Sequence, residues 1–83
     1  MIDVNVRYFA AACAAAGVEA ETVSVAAGAT VTDLVDTLRR RGPKLSVVLD
    51  RCSFLCDGIA VRDVHKTLET NQTVDVLPPF AGG

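Results

Sequence analysis

The sequence predicts an α+β fold, a mixed sheet with one main helix packed on one face. Three observations point there. Apolar residues alternate with polar ones near both ends of the chain, at Ile2, Val4 and Val6 and again at Val74 and Val76, which is the period of a strand buried on one side. Between them Val31, Leu34, Val35 and Leu38 recur at helical spacing. Asp57-Gly58, a dipeptide suited to tight hairpin turns, separates two short extended runs.

The first strand covers residues 2–7. Tyr8 and Phe9 then give way to an alanine-rich helical run, Ala10-Ala11-Ala12-Cys13-Ala14-Ala15-Ala16, which Gly17 terminates. Its small side chains let this helix lie close to the body or turn a smooth face to a partner. Glu21-Thr22-Val23-Ser24-Val25 alternates again and Ala27-Gly28 ends it, so the first two strands read as an antiparallel hairpin whose connection carries the short helix.

Thr30, with Asp33 three residues on, is the capping signal of the main helix. Arg39, Arg40 and Arg41 place positive charge at its far end before Gly42-Pro43 breaks it. Together with Lys44 they either complement the helix dipole or bind an anion, a nucleotide phosphate or an acidic partner. The run Leu45-Ser46-Val47-Val48-Leu49 fits a helical turn and a strand almost equally well. Residues 53–56 and 59–62 flank Asp57-Gly58 as a hairpin. Asn71 stands where a tight turn calls for a left-handed backbone, which asparagine tolerates, and it introduces the last strand, Thr73-Val74-Asp75-Val76-Leu77. If the first strand is central and pairs with the last, the two run parallel through a right-handed crossover.

Eighty-three residues, 51% apolar and 22% charged, make a single folded domain over residues 1–83. Such a domain is too small for a deep internal active site, so a docked partner is expected to supply any catalytic cavity. A formal charge of -2 provides no electrostatic footprint for nucleic acid. No apolar run approaches a membrane span and Met1 leads directly into a charged strand, so a cytosolic protein without a membrane partner is expected. Cys13, Cys52 and Cys56 are an odd number without an export signal; they read as reduced, small apolar fillers. With His65 as the single histidine, neither a metal site nor a Ser-His-Asp constellation is expected.

The most informative stretch is the tail. Pro78 and Pro79 cannot donate ladder hydrogen bonds and favour an extended polyproline conformation, so the chain leaves the sheet stiffly. Phe80 and Ala81 follow, and Gly82 and Gly83 then form a stem without side chains. Residues 78–83 make a protruding functional tail that reaches about 20 Å when extended. The Gly83 carboxylate is the expected reactive group, and Ala81 and Gly82 the segment that threads a narrow tunnel in another protein.

The opening strand ending in Tyr8-Phe9-Ala10, the Thr30-Val31 helix start, the turn over residues 68–74 and the ending Leu77-Pro78-Pro79-Phe80-Ala81-Gly82-Gly83 resemble the β-grasp, ubiquitin-like sulfur carriers of the MoaD/ThiS family. The resemblance covers the whole chain, and its Pro-Pro-x-x-Gly-Gly ending is most similar to the small subunit of molybdopterin synthase. It implies a β-grasp fold. It also implies that an ATP-dependent activating enzyme adenylates Gly83 with magnesium, and that a sulfur donor protein converts the adenylate to a thiocarboxylate. The large subunit of molybdopterin synthase would then take the tail, and no cofactor would be bound permanently. Phe9, Val61, Leu77 and Phe80 match positions where the family presents an apolar docking surface, with ordinary core packing the competing role for Val61 and Leu77. The resemblance leaves two alternative pathways open: a sulfur carrier for thiamine or cysteine synthesis, or a ubiquitin-like protein modifier.

Overall fold

A computed structural model describes residues 1–79 of the protein. Its elements follow in the order β1 (Ile2–Tyr8), α1 (Ala11–Ala16), β2 (Ala20–Val25), α2 (Val31–Arg39), α3 (Pro43–Leu49), β3 (Ser53–Cys56), β4 (Ile59–Ala60) and β5 (Thr73–Leu77). The five strands form one mixed sheet in the order β2-β1-β5-β3-β4. β1 and β5 are the central pair and run parallel, while every other neighbour is antiparallel. This is the β-grasp arrangement that the resemblance implies.

Alternation along β1 buries Val4, Val6 and Tyr8 and leaves Asp3, Asn5 and Arg7 on the other face. Those buried residues meet Val74 and Val76 of β5, Val31, Leu34 and Leu38 of α2, and Leu45 and Leu49 of α3 in one core. α2 is built as its sequence signal requires. The Thr30 hydroxyl accepts from the Asp33 N–H at 3.2 Å and the Asp33 carboxylate accepts from the Thr30 N–H at 2.9 Å, which satisfies two donors that a helix start otherwise leaves unpaired. The helical layer contains more than the main helix. Residues 45–49 belong to α3, which Pro43 opens from its first turn, where a missing N–H loses no bond. The buried pair Leu45 and Leu49 recurs at helical spacing, which decides the ambiguity of that run.

The basic run between 39 and 44 disperses. Arg39 turns to α3, donating to the Ser46 carbonyl at 2.9 Å and pairing with Asp50 at 2.7 Å. Arg41 pairs instead with Glu21 on β2, and that carboxylate also accepts from the Tyr8 hydroxyl at 2.7 Å. Burial and then the Glu21 contact push the Tyr8 phenol well above its ordinary range, so it remains a hydrogen-bond donor.

Two turns shape the second half of the chain, one joining β3 to β4 and one leading into β5. Asp57 and Gly58 both adopt positive φ, 50° and 82°, the pairing that a two-residue hairpin with matched twist demands. Asn71, at φ 67°, donates its N–H to the Asp3 carbonyl at 2.8 Å, and Asn5 donates to the Gln72 carbonyl at 2.9 Å; these bonds set β5 in parallel register with β1. The segment between is tied to the start of α2, through Leu68 N–H to the Ala29 carbonyl at 2.8 Å and Thr32 N–H to the Val64 carbonyl at 3.0 Å.

The sequence gives no warning of Ala10, which joins β1 to α1 at φ 50° and ψ -125°. Only glycine occupies that region without a Cβ clash, and residues held there carry roughly 1–3 kcal/mol of strain. Ala10→Gly should therefore raise stability by about 1 kcal/mol, strain relief exceeding the entropy that glycine adds to the unfolded chain. A thermal melt checks this, and a variant that melts below wild type contradicts the strain.

Candidate functional site

Strand pairing decides which side chains share the sheet face left open by the helices. Val6 pairs with Val74 and Tyr8 with Val76 on the helical side, so their neighbours Arg7 and Asp75 pair on the open side. Antiparallel pairing then sets Leu55 beside Asp75, Ser53 beside Leu77, and Ala60 beside Leu55. Phe9, 38% exposed, stands on this face as well: its ring centroid lies 5.7 Å from the Arg7 guanidinium carbon. The β2 side of the face is polar, with Ser24 donating to Asp3 at 2.7 Å and Thr22 to Asn5 at 3.3 Å. Toward β5 and β3 the face carries Phe9, Leu55 and Leu77 together with Ser53, Thr73 and one ion pair.

That pair is bidentate. Arg7 Nε donates to Asp75 Oδ1 at 2.6 Å and Arg7 Nη2 to Oδ2 at 2.8 Å. Asp75 is the buried charged residue among those described, at 4% exposure. Its hydrogen bonds, and then its charge, raise the Arg7 guanidinium further above its ordinary value, so the cation is permanent.

The structure brings together two of the four residues expected to form a docking surface. Phe9 and Leu77 lie on the open face, half-exposed and half-buried. Val61 does not join them, and the expectation is corrected there. Its N–H donates to the Phe54 carbonyl at 2.9 Å, one step beyond the pairing of Leu55 with Ala60, which puts Val61 on the helical side. It packs against the core and lines a cleft with Val31 and Leu68. The strand period assigns the open-face position to Ala60 instead. Leu55 joins the face unannounced, because the unbroken apolar run Phe54-Leu55-Cys56 hides which residue points where.

Phe80, Ala81, Gly82 and Gly83 lie outside the described residues. What is described is the path to them: β5 ends at Leu77, Pro78 is buried and Pro79 is exposed, so the chain leaves beside Leu77 at the border of the apolar face.

Little else on the surface is equipped for chemistry. Cys13, Cys52 and Cys56 are free thiols packed partly against the core. Burial pushes the Cys52 and Cys56 thiols up, and Cys52 donates to the Val48 carbonyl at 3.2 Å, which makes both poor nucleophiles. Among the described residues no three His, Cys, Asp or Glu side chains are placed to hold a metal ion, and no helix is long and apolar enough to cross a membrane.

The sequence profile of the ThiS family matches residues 6–83, from the second half of β1 to the last residue. The chain belongs to the ThiS family. This ThiS-family chain is 31% identical over 83 residues to the molybdopterin synthase sulfur carrier subunit of Chlamydomonas reinhardtii, covering 99% of its own length and 100% of that protein. Its fold is similar to that of a putative molybdopterin converting factor subunit 1 from Pyrococcus furiosus, with a TM-score of 0.87, 27% identity and coverage of 96% and 100% of the two chains. It is also similar to the small archaeal modifier protein 1 of H. volcanii, with a TM-score of 0.84, 25% identity and coverage of 96% and 100%.

Proposed function

We propose that this chain is the sulfur-carrier small subunit of molybdopterin synthase. The observation that carries the reading is its likeness to the Chlamydomonas reinhardtii sulfur carrier subunit along the whole of both chains. The geometry is compatible with it: β5 ends at Leu77 on the open sheet face, and Pro79, the last described residue, is exposed.

A carboxylate is a poor acyl donor because oxide is its leaving group. An ATP-dependent activating enzyme, with magnesium, joins the Gly83 carboxylate to AMP and releases pyrophosphate. Sulfur from a donor protein then displaces AMP and leaves a thiocarboxylate. The face bearing Phe9, Leu55 and Leu77 docks on the large subunit in the cytosol, Phe80 anchors the tunnel entrance, and Ala81 and Gly82 thread it. There the thiocarboxylate gives its sulfur to a pterin precursor. The carrier binds no cofactor permanently; ATP and magnesium belong to the activating enzyme.

Intact-mass measurement tests this. After incubation with the activating enzyme, ATP and a sulfur source, the protein should gain the mass of one oxygen exchanged for sulfur at Gly83, and no shift with any activating enzyme overturns the proposal. The likeness to the small archaeal modifier protein favours a second reading, attachment of Gly83 to lysines of other proteins. Isopeptide adducts on many proteins, in place of a transient thiocarboxylate, would identify that activity.

Gly82→Val is expected to slow transfer roughly 100-fold with an unchanged melting temperature. A β-branched side chain widens and stiffens the stem beside the reactive atom, and a displacement of about 1 Å at a reacting group costs a factor of that size. Wild-type transfer kinetics for this variant would eliminate the narrow-tunnel account.

A further inference from the structure

The Arg7–Asp75 pair adjoins Phe9, Leu55 and Leu77 on the open face, with Asn5 and Thr73 on its other side. Its two ends are unequal. The Asp75 side chain is 6% exposed, whereas that of Arg7 is 54% exposed. Asp75 occupies the edge of the guanidinium formed by Nε and Nη2. The edge formed by Nη1 and the second Nη2 hydrogen has no hydrogen-bond partner among the described residues, and the side chain that carries it is more than half exposed.

Stability does not explain the pair, since well-packed apolar residues of similar volume generally replace buried ion pairs without loss. A partner that lies on Phe9, Leu55 and Leu77 must cover Arg7, because the guanidinium stands beside the Phe9 ring within the same patch. Covering an N–H without an acceptor forfeits its water and gains nothing. Two parallel N–H groups on one rigid edge match the two oxygens of a carboxylate better than the single oxygen of a backbone carbonyl. Arg7 is also the one cation among the described strand residues of this face, so an acidic group is the complement in charge as well as shape.

We infer that Arg7, held in plane by Asp75, is a specificity-determining residue of the docking face, and that the partner receiving the tail presents an Asp or Glu carboxylate to its outer edge. The inference rests on the sulfur-carrier reading. Asp75 acts through Arg7 as a positioning residue, and an apolar surface without the carboxylate is rejected although it fits Phe9 and Leu77.

The test is calorimetric titration of the large subunit of molybdopterin synthase from the same organism with wild type, Arg7→Lys, and the double variant Arg7→Leu/Asp75→Leu, each at low and high salt. The double variant removes both charges and so avoids stranding the Asp75 carboxylate; its melting temperature should match wild type. Both variants should bind about 10- to 100-fold more weakly, as when a buried charge pair loses one member at an interface. Wild-type binding should weaken with salt and binding of the double variant should not. Wild-type affinity in either variant overturns the role of Arg7. A loss of affinity with the salt dependence retained overturns the carboxylate. Failure of wild type itself to bind the large subunit overturns the sulfur-carrier reading, and is distinguished from the other outcomes because no variant is needed to see it.

Discussion

Removing Gly83, or extending the chain beyond it, is expected to abolish sulfur transfer while leaving the melting temperature unchanged. The reason is a separation of tasks along the chain. Among the described residues every strand pairing in the sheet and every residue of the core cluster lies at or before Leu77, so a change at residue 83 is expected to take little from either. In the proposed function the reacting group, in contrast, is a single carboxylate whose position along the tail must match the depth of the partner's site. Adding one residue displaces it by about 3.5 Å, more than the tolerance of a reacting pair. A single-turnover transfer assay on an uncleaved, extended protein checks this, and transfer at the wild-type rate would show that Gly83 is not the carrier atom's address.

Leu34→Ala has the largest expected effect on the fold. Leu34 is 0% exposed at the middle of α2, and the core around it is drawn from all three helices and both central strands. Leucine-to-alanine changes at such sites cost about 3–5 kcal/mol, through lost burial and the cavity left behind. For a domain of this size that lowers the melting temperature by roughly 15 °C or more, a large part of the total stability of a small domain. Val47→Ala is the control: Val47 is 67% exposed on α3, and its loss should be nearly silent. Melting of Leu34→Ala within a few tenths of a kcal/mol of wild type would remove α2 from the core.

What the sequence made legible is what local physics decides. The period of β1, the Thr30 and Asp33 cap, the Asp57-Gly58 turn and the left-handed Asn71 each depend on a few neighbouring residues, and each stands in the structure where its pattern placed it. What stayed hidden depends on register. Arg7 and Asp75 are 68 positions apart, and only the parallel pairing of β1 with β5 reveals that they meet. The antiparallel pairings of β3 with β4 and β5 exchange Val61 for Ala60 on the open face and promote Leu55, because a shift of one residue sends a side chain to the opposite face. The arginines behind α2 look like one cluster in sequence; in space Arg39 and Arg41 answer different carboxylates on different elements.

The place of β5 in the sheet has a consequence for how the protein comes to exist in the cell. β5 is the last strand in chain order, yet it fills the slot between β1 and β3. While the nascent chain leaves the ribosome, the β1–β2 and β3–β4 hairpins and the helices can form, but the two halves of the sheet have nothing to join them. Closing the slot requires contacts between residues far apart in sequence, the slow kind of step in folding. The same insertion seats Leu77 on the open face and pins Arg7 with Asp75. A half-synthesised chain therefore lacks the open face that the proposed function uses for docking, and under that proposal completion of the fold and readiness to receive sulfur coincide.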